Sequence, residues 1–287
     1  MDIGIVYPQT ELGGDPEAVR QIGRWAEESG IDYLLAYDHV LGADHADREP
    51  ALTGPYTLDD PFHDPFVLFA YLAGMTERLE FISGVLVLPQ RQTALVAKQA
   101  ADLSLLSDGR FRLGVGVGWN HVEYTALGQD FSTRGARADE QIELLRALWR
   151  DEVVTFDGRF DTVERANLNP RPTSPIPVWI GGFSEPAYRR AAEAGDGFCF
   201  VGDPERSWAT VERIRSVMAD AGRGNDPFGT ELQIWDAEVD AAVAKLARWR
   251  ELGGSHGCIH SMGKGLDSVD AHLDHFGRVA TAISRTG

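Results

Sequence analysis

Three short stretches hold residue types that could do chemistry. Asp38-His39 follows the apolar run Tyr33–Tyr37. A histidine at a strand exit can face a pocket with an imidazole that titrates near neutral pH, which suits general acid/base work. Asp38 can orient it or meet a ligand, although a histidine there can equally just bond a loop backbone. Gly114, Gly116 and Gly118 strip side chains from the far half of the run Phe111–Val117. That leaves room for a backbone or a flat ligand to approach, or relieves crowding between strands. In Gly181-Gly182-Phe183-Ser184-Glu185-Pro186 the serine and proline mark a helix start. Its unpaired amides and positive dipole end suit a phosphate, though an ordinary serine cap would use the same residues.

These stretches lie at the ends of elements that repeat. Val85-Leu86-Val87-Leu88, closed by Pro89, reads as a strand buried on both faces, hence as part of a parallel sheet. From Thr93 to Leu106 the apolar residues Leu95, Val96, Ala100, Leu103 and Leu106 keep helical spacing until Ser107-Asp108-Gly109. Strand-like runs occur at Ile3–Tyr7, Tyr33–Tyr37, Phe81–Leu88, Phe111–Val117, Val178–Gly181, Gly197–Val201, Leu232–Trp235 and Gly257–His260. Helical patterns fall near 16–29, 64–77, 92–107, 135–150, 184–195, 204–222, 237–253 and 267–284. Eight alternations predict an α/β fold of the closed (β/α)8 TIM-barrel type, forming a single domain over 1–287. An open doubly wound sheet is the alternative, but no GxGxxG follows the first strand. Two insertions exceed ordinary connections, Val40–His63 after the second strand and Asp151–Pro175, where Asp157-Gly158 reads as a hairpin turn.

A barrel would gather Tyr7, Asp38-His39, Pro89, Gly116–Asn120, Gly181–Ser184, Gly202, Trp235 and Ser261-Met262 at one end. Aromatic, glycine and small polar groups with one histidine suit a planar organic cofactor better than a metal. Histidines 39, 45 and 63 with nearby aspartates match a metal cluster in composition, but HxH and HExxH spacings are absent, so no metal is expected. Arg91, Arg134, Arg137 and Lys264 stand where a polyanionic tail could meet them, and Trp119 could stack on a flat ring. With 27 basic and 44 acidic residues the net charge is −17, which disfavours nucleic acid and anionic membranes. Any bound phosphate must then be held locally. Cys199 and Cys258 lie in apolar runs without CxxC spacing, so buried free thiols are expected. The opening IGIVYP has no signal-peptide pattern and no segment reaches spanning length, which leads to the expectation of a soluble cytoplasmic protein.

Taken together, the residues resemble the luciferase-like flavin and deazaflavin oxidoreductases, especially the branch using coenzyme F420. The resemblance covers nearly the whole chain. It rests on YDHV at 37–40, SGVLVLPQRQTALVAKQAADLSLLSDGRFRLGVGVGWN at 83–120, NPRP at 169–172, PVWIGGFSEPAYRRAAEAGDGF at 177–198 and SMGKGLDSVDAHLDHF at 261–276. It implies a deazaflavin or isoalloxazine ring at the strand C-termini and a non-proline cis peptide bulging the third strand at Gly84-Val85. By the same resemblance His39 would be the acid/base and Asp38 a cofactor contact. Ser83, Gly84, Val85, Gly116, Val117 and Gly118 would touch the ring or its chain, and Gly181, Gly182, Phe183 and Ser184 would hold the chain and phosphate. Relatives often pair as homodimers.

Two departures refine this. Bacterial luciferase carries a phosphate-binding arginine where this chain has Val117, which favours F420 over FMN. Relatives acting on glucose 6-phosphate carry a glutamate where Trp119 stands, which disfavours a sugar phosphate. The expected function is hydride transfer between F420 and a small, fairly apolar organic substrate. An FMN-dependent monooxygenase, a protein that binds the cofactor without turnover, and a metal-dependent barrel hydrolase are the alternatives.

Overall fold

In the computed structural model, residues 1–236 and 238–285 are described. The elements run β1 (Asp2–Val6), α1 (Pro16–Glu28), β2 (Tyr33–Ala36), α2 (Pro65–Ala73), β3 (Glu80–Ser83), β4 (Leu86–Val87), α3 (Thr93–Leu106), β5 (Phe111–Gly116), α4 (His121–Ala126) and α5 (Arg134–Arg150). There follow β6 (Val154–Asp157), β7 (Thr162–Ala166), β8 (Val178–Gly181), α6 (Glu185–Ala194), β9 (Gly197–Val201), α7 (Pro204–Asp220), β10 (Gly229–Ile234), α8 (Val239–Leu252), β11 (His256–Ile259) and α9 (Val269–Ser284). Apart from the β6–β7 hairpin the pairings are parallel. They run β3-β2-β1-β11-β10-β9-β8-β5 and close where β3 meets β5, so the predicted (β/α)8 barrel is what forms.

Successive side chains on each strand point alternately to the two faces, and both faces are covered, which is why the strands read as unbroken apolar runs. Outward residues such as Ile5, Leu34, Phe81, Leu113, Val178, Leu232 and Ile259 pack against the helices. Inward residues Val6, Tyr33, Leu35, Tyr37, Ile82, Trp179, Cys199 and Cys258 fill the barrel. The dipeptide Asp-Pro sets three helix starts. Asp15, Asp64 and Asp203 accept a bond from a first-turn amide, while Pro16, Pro65 and Pro204 take the first helical position, where no amide hydrogen is needed.

Differences from the sequence expectation have local causes. The run expected over Phe81–Leu88 is divided into β3 and β4 by an inward bulge at Gly84-Val85, whose peptide is cis as the resemblance implied. β10 begins at Gly229, before the apolar run, because Thr230 and Glu231 are polar residues buried in the sheet. The expected hairpin forms, with a turn over 158–161 secured by the Glu140 carboxylate, which accepts from the amides of Arg159, Phe160 and Asp161 at 2.7–2.8 Å. Helix α4 was not anticipated.

The glycines of β5 serve the bulge. A side-chain carbon at Gly114 would overlap the Ser83 carbonyl oxygen, one at Gly116 would overlap Val85, and one at Gly181 would lie 2.6 Å from Val85. Gly114→Ala is therefore expected to destabilise the protein by at least about 2 kcal/mol, because the clash is with backbone that cannot swing away. Chemical denaturation of the two proteins checks this.

Candidate active site

Everything at the mouth of the barrel is arranged around the bulge. The Asp38 side chain is fully buried; Oδ2 accepts from the Val87 amide at 2.9 Å and Oδ1 from Arg91 Nη2 at 2.7 Å. Arg91 also reaches Asp64, the cap of α2, at 3.0 Å. Burial pushes the Asp38 carboxyl above its usual value, against the pull of Arg91 and of the Val87 amide. Underneath, the buried Ser83 hydroxyl donates to the Gly114 carbonyl at 2.8 Å. Asp38 and Ser83 thus anchor the two ends of the bulge, and Asp38 also borders the cavity above it.

His39, next along the chain, is 10 % exposed at its side chain, and its Nδ1 lies 3.3 Å from Oε2 of Glu123, which is 1 % exposed. The other Glu123 oxygen accepts from the amides of Val40 and Leu41, the latter at 3.0 Å. One carboxylate on α4 therefore fixes both the imidazole and the backbone that follows it. Asn120 caps α4 through the Val122 amide and donates to the Leu41 carbonyl. Sequence reasoning missed Glu123. Its spacing from Asn120 matches a capping box, but the carboxylate instead serves a loop 82–84 residues away.

Three rings enclose His39: Phe62 at 4.9 Å, Tyr56 at 5.3 Å and Trp119 at 5.5 Å between centroids. Two come from the 40–63 insertion, which packs on Trp119 at Gly54, where any side chain would overlap the indole. A cavity of about 260 Å³ is bordered here by His39, Tyr56, Gly84, Val85, Gly118, Trp119, Gly181, Gly182, Phe183, Gln233 and Trp235. It adjoins a second, of about 510 Å³, that shares Val85, Gly118, Trp119 and Gly181–Phe183 and runs on past Gly116 and Val117 to Ser184, Arg134 and Arg190.

The second cavity has cationic and unpaired polar groups. Ser184 starts α6 without a side-chain cap bond. Arg134 has its guanidinium carbon 3.9 Å from the Phe131 ring centroid, and its Nε is buried without a partner. Arg190 is held by Asp139 and by the Gly135 carbonyl. Phe183, 81 % exposed, stands at the junction of the two cavities.

The structure thus brings together His39, Asp38, Gly84, Val85, Gly116, Val117, Gly118, Trp119, Trp235 and Gly181–Ser184. Tyr7, Pro89, Ser261 and Met262 are buried and line neither cavity. Of the four basic candidates only Arg134 lines a cavity of this site. Arg91 is committed to Asp38 and Asp64, Arg137 to the Pro89 and Arg91 carbonyls, and Lys264 to the Asp236 carbonyl. Among the described residues no group of three His, Cys, Asp or Glu is placed to hold a metal, and no helix is long and apolar enough to cross a membrane.

Replacing Glu123 by alanine is expected to cost about 2–3 kcal/mol, because two backbone amides lose a charged acceptor. Glu123→Gln, which keeps one acceptor oxygen, should cost less. Paired denaturation curves read the difference.

Comparison with known proteins is consistent with this layout. The model of a family described as luciferase-like monooxygenase matches residues 1–276. An uncharacterised protein of Mycobacterium tuberculosis strain H37Rv is 39 % identical over 233 residues, 78 % of this chain and 79 % of that protein. The crystal structure of monooxygenase RslO1 from Streptomyces bottropensis superposes with a TM-score of 0.80 at 18 % identity, covering 100 % of this chain and 99 % of that one. An F420-dependent secondary alcohol dehydrogenase in complex with an F420-acetone adduct superposes with a TM-score of 0.79 at 19 % identity, over 98 % of both chains. At these identities the two structures establish the fold alone.

Proposed function

The chain belongs to the luciferase-like monooxygenase family, and on that premise we propose that it is an F420-dependent oxidoreductase acting on a small, fairly apolar organic substrate. The observation that carries this reading is the pairing of a side-chain-poor cavity, in which His39 is fixed by Glu123, with an adjoining cavity supplied with cationic groups. Gly84, Val85, Gly118, Gly181 and Gly182 offer a flat ring a wall of backbone and one small side chain. The uncapped Ser184, the unpartnered Arg134 Nε and the positive dipole end of α6 fit a polyanionic tail. Val117, standing where the resemblance expects an FMN-anchoring arginine, supports the deazaflavin. When bound, that cofactor supplies hydride transfer rather than oxygen activation.

The protein's own residues do the rest. The Nδ1–H of His39 donates to Glu123, so Nε2 is left to take or give the proton that accompanies hydride movement. Tyr56, Phe62 and Trp119 form an apolar wall around the imidazole and keep water from it. Asp38 keeps the bulge in place from below, at the border of the ring cavity. An FMN-dependent monooxygenase is the second reading, in keeping with the description of the family whose model matches the chain.

Fluorescence titration of the apo-protein with oxidised F420 and with FMN in parallel separates the two. Saturation by F420 at micromolar concentration, with FMN much weaker, is expected; preference for FMN moves the protein to the monooxygenase reading, and binding of neither sinks both. With a turnover assay in hand, His39→Ala should lower kcat by about 100-fold while changing cofactor affinity little. Unchanged turnover would remove His39 from the mechanism. Arg134→Gln should do the opposite, weakening cofactor binding by about 10-fold with kcat nearly unchanged.

A further inference from the structure

The interior of the barrel below the ring cavity contains a polar chain that the chemistry above does not use. Tyr37 and Gln233 both border that cavity. The Tyr37 hydroxyl donates to Gln233 Oε1 at 2.8 Å, and Gln233 Nε2 donates to Glu231 Oε1 at 3.3 Å. Glu231 and Gln233 are two apart on β10 and therefore share its inward face. Glu231 is 0 % exposed, and its second oxygen has no partner. We propose that Glu231 is a positioning residue whose charge state, passed through Gln233, decides where the Tyr37 hydroxyl sends its proton and so which hydrogen bond the ring cavity offers its occupant.

The argument is one of donors and acceptors. An ionised carboxylate can only accept, so it draws the amide NH2 of Gln233 toward itself and turns the amide oxygen to Tyr37, which must donate to it. This is the arrangement present. A protonated Glu231 can donate to the Gln233 oxygen instead. The amide then turns over, its NH2 faces Tyr37, and the phenol accepts from it, leaving its own proton free for the cavity. No proton travels along the chain; only the direction of the bonds reverses.

The surroundings allow both states near neutral pH. Burial raises the Glu231 carboxyl to about 7, opposed by Arg112, Gln233 and Tyr33. Arg112 reaches in from β5, its guanidinium 4.9 Å from the Tyr33 ring on β2 and 5.1 Å from the Trp179 ring on β8. From β9 and β11 come Cys199 and Cys258, whose thiols burial holds well above their usual value and so neutral. His256, also on β11 and in register with Glu231, bonds Arg112; burial and that guanidinium lower it to about 3, so it too is neutral. Tyr37, raised by burial, stays a phenol. Glu231 is thus the group in this cluster that changes charge in the neutral range.

The first test needs no cofactor. An acid raised from roughly 4.3 in the unfolded chain to about 7 in the folded one makes the native state hold the extra proton between those values. Wild-type protein should therefore lose thermal stability relative to Glu231→Gln as pH rises through that window, with no further change above it. In a Tyr37→Phe background the pH-dependent difference should change in size, because the two charge states of Glu231 make different demands on the phenol through Gln233. A difference between wild type and Glu231→Gln that is flat with pH, or identical in both backgrounds, overturns the proposal. The second test rests on the cofactor reading. The ratio of F420 dissociation constants for wild type and Glu231→Gln cancels any titration of the ligand; it should be near one at pH 5.5, depart by three-fold or more at pH 8.5, and return to one throughout when Tyr37 is phenylalanine. A ratio that does not vary with pH overturns the link to the cavity. Failure of F420 and FMN to bind at all would end the cofactor reading while the stability test still decides the role of Glu231.

Discussion

The site depends on one steric constraint: a strand must push a valine into the barrel, and its neighbours must have nothing in the way. Val85 occupies space that side chains at Gly116 and Gly181 would fill, and the Ser83 carbonyl takes that of a side chain at Gly114. Close packing leaves no slack for a compromise. With the bulge in place, the amide of Val87 is turned to Asp38, and Asp38 in turn holds Arg91, which ties the loop after β4 to the start of α2. His39 is then delivered to its position by the same short segment that anchors the bulge. The acid/base candidate and the wall of the ring cavity are thus fixed by adjacent residues of one turn.

An acidic protein can still present a cationic groove, because the fields that matter act over a few ångströms. The −17 net charge is screened beyond about 8 Å at physiological salt. The start of α6 at Ser184 and the Arg134 and Arg190 side chains border the same cavity. Arg190 is partly neutralised by Asp139, but Arg134 meets an aromatic ring and a carbonyl and keeps its whole charge. The barrel floor works the other way. There Arg112 is drawn into the interior by two ring faces, and the carboxyl it accompanies is raised rather than lowered.

Much of this was legible in the amino-acid order. Parallel strands covered on both faces must be apolar at nearly every position, so the eight runs stand out, and Asp-Pro and Ser-Glu-Pro announce helix starts on local chemistry alone. The glycines of β5 also signalled close approach, but the sequence did not say what approaches; at Gly116 it is the chain's own Val85 and at Gly114 the Ser83 carbonyl. Glu123 was illegible because its partners, His39, Val40 and Leu41, are distant in sequence and use it through tertiary contacts. Glu231 was hidden for a similar reason. A single acid ahead of Leu-Gln-Ile reads as a strand boundary, and only closure of the barrel places it among Tyr33, Arg112 and Gln233.

The 40–63 insertion supplies Pro55 and Tyr56 to the ring cavity and Phe62 to the His39 ring, yet it contains no helix or strand and contributes nothing to the barrel's pairing. It meets the rest of the site through a glycine laid on Trp119 and the two amides bound by Glu123. One wall of the cavity is thus encoded separately from the barrel frame beneath it. A change of its shape or polarity can come from rewriting one contiguous stretch of the gene, while the barrel and its bulge are inherited unchanged.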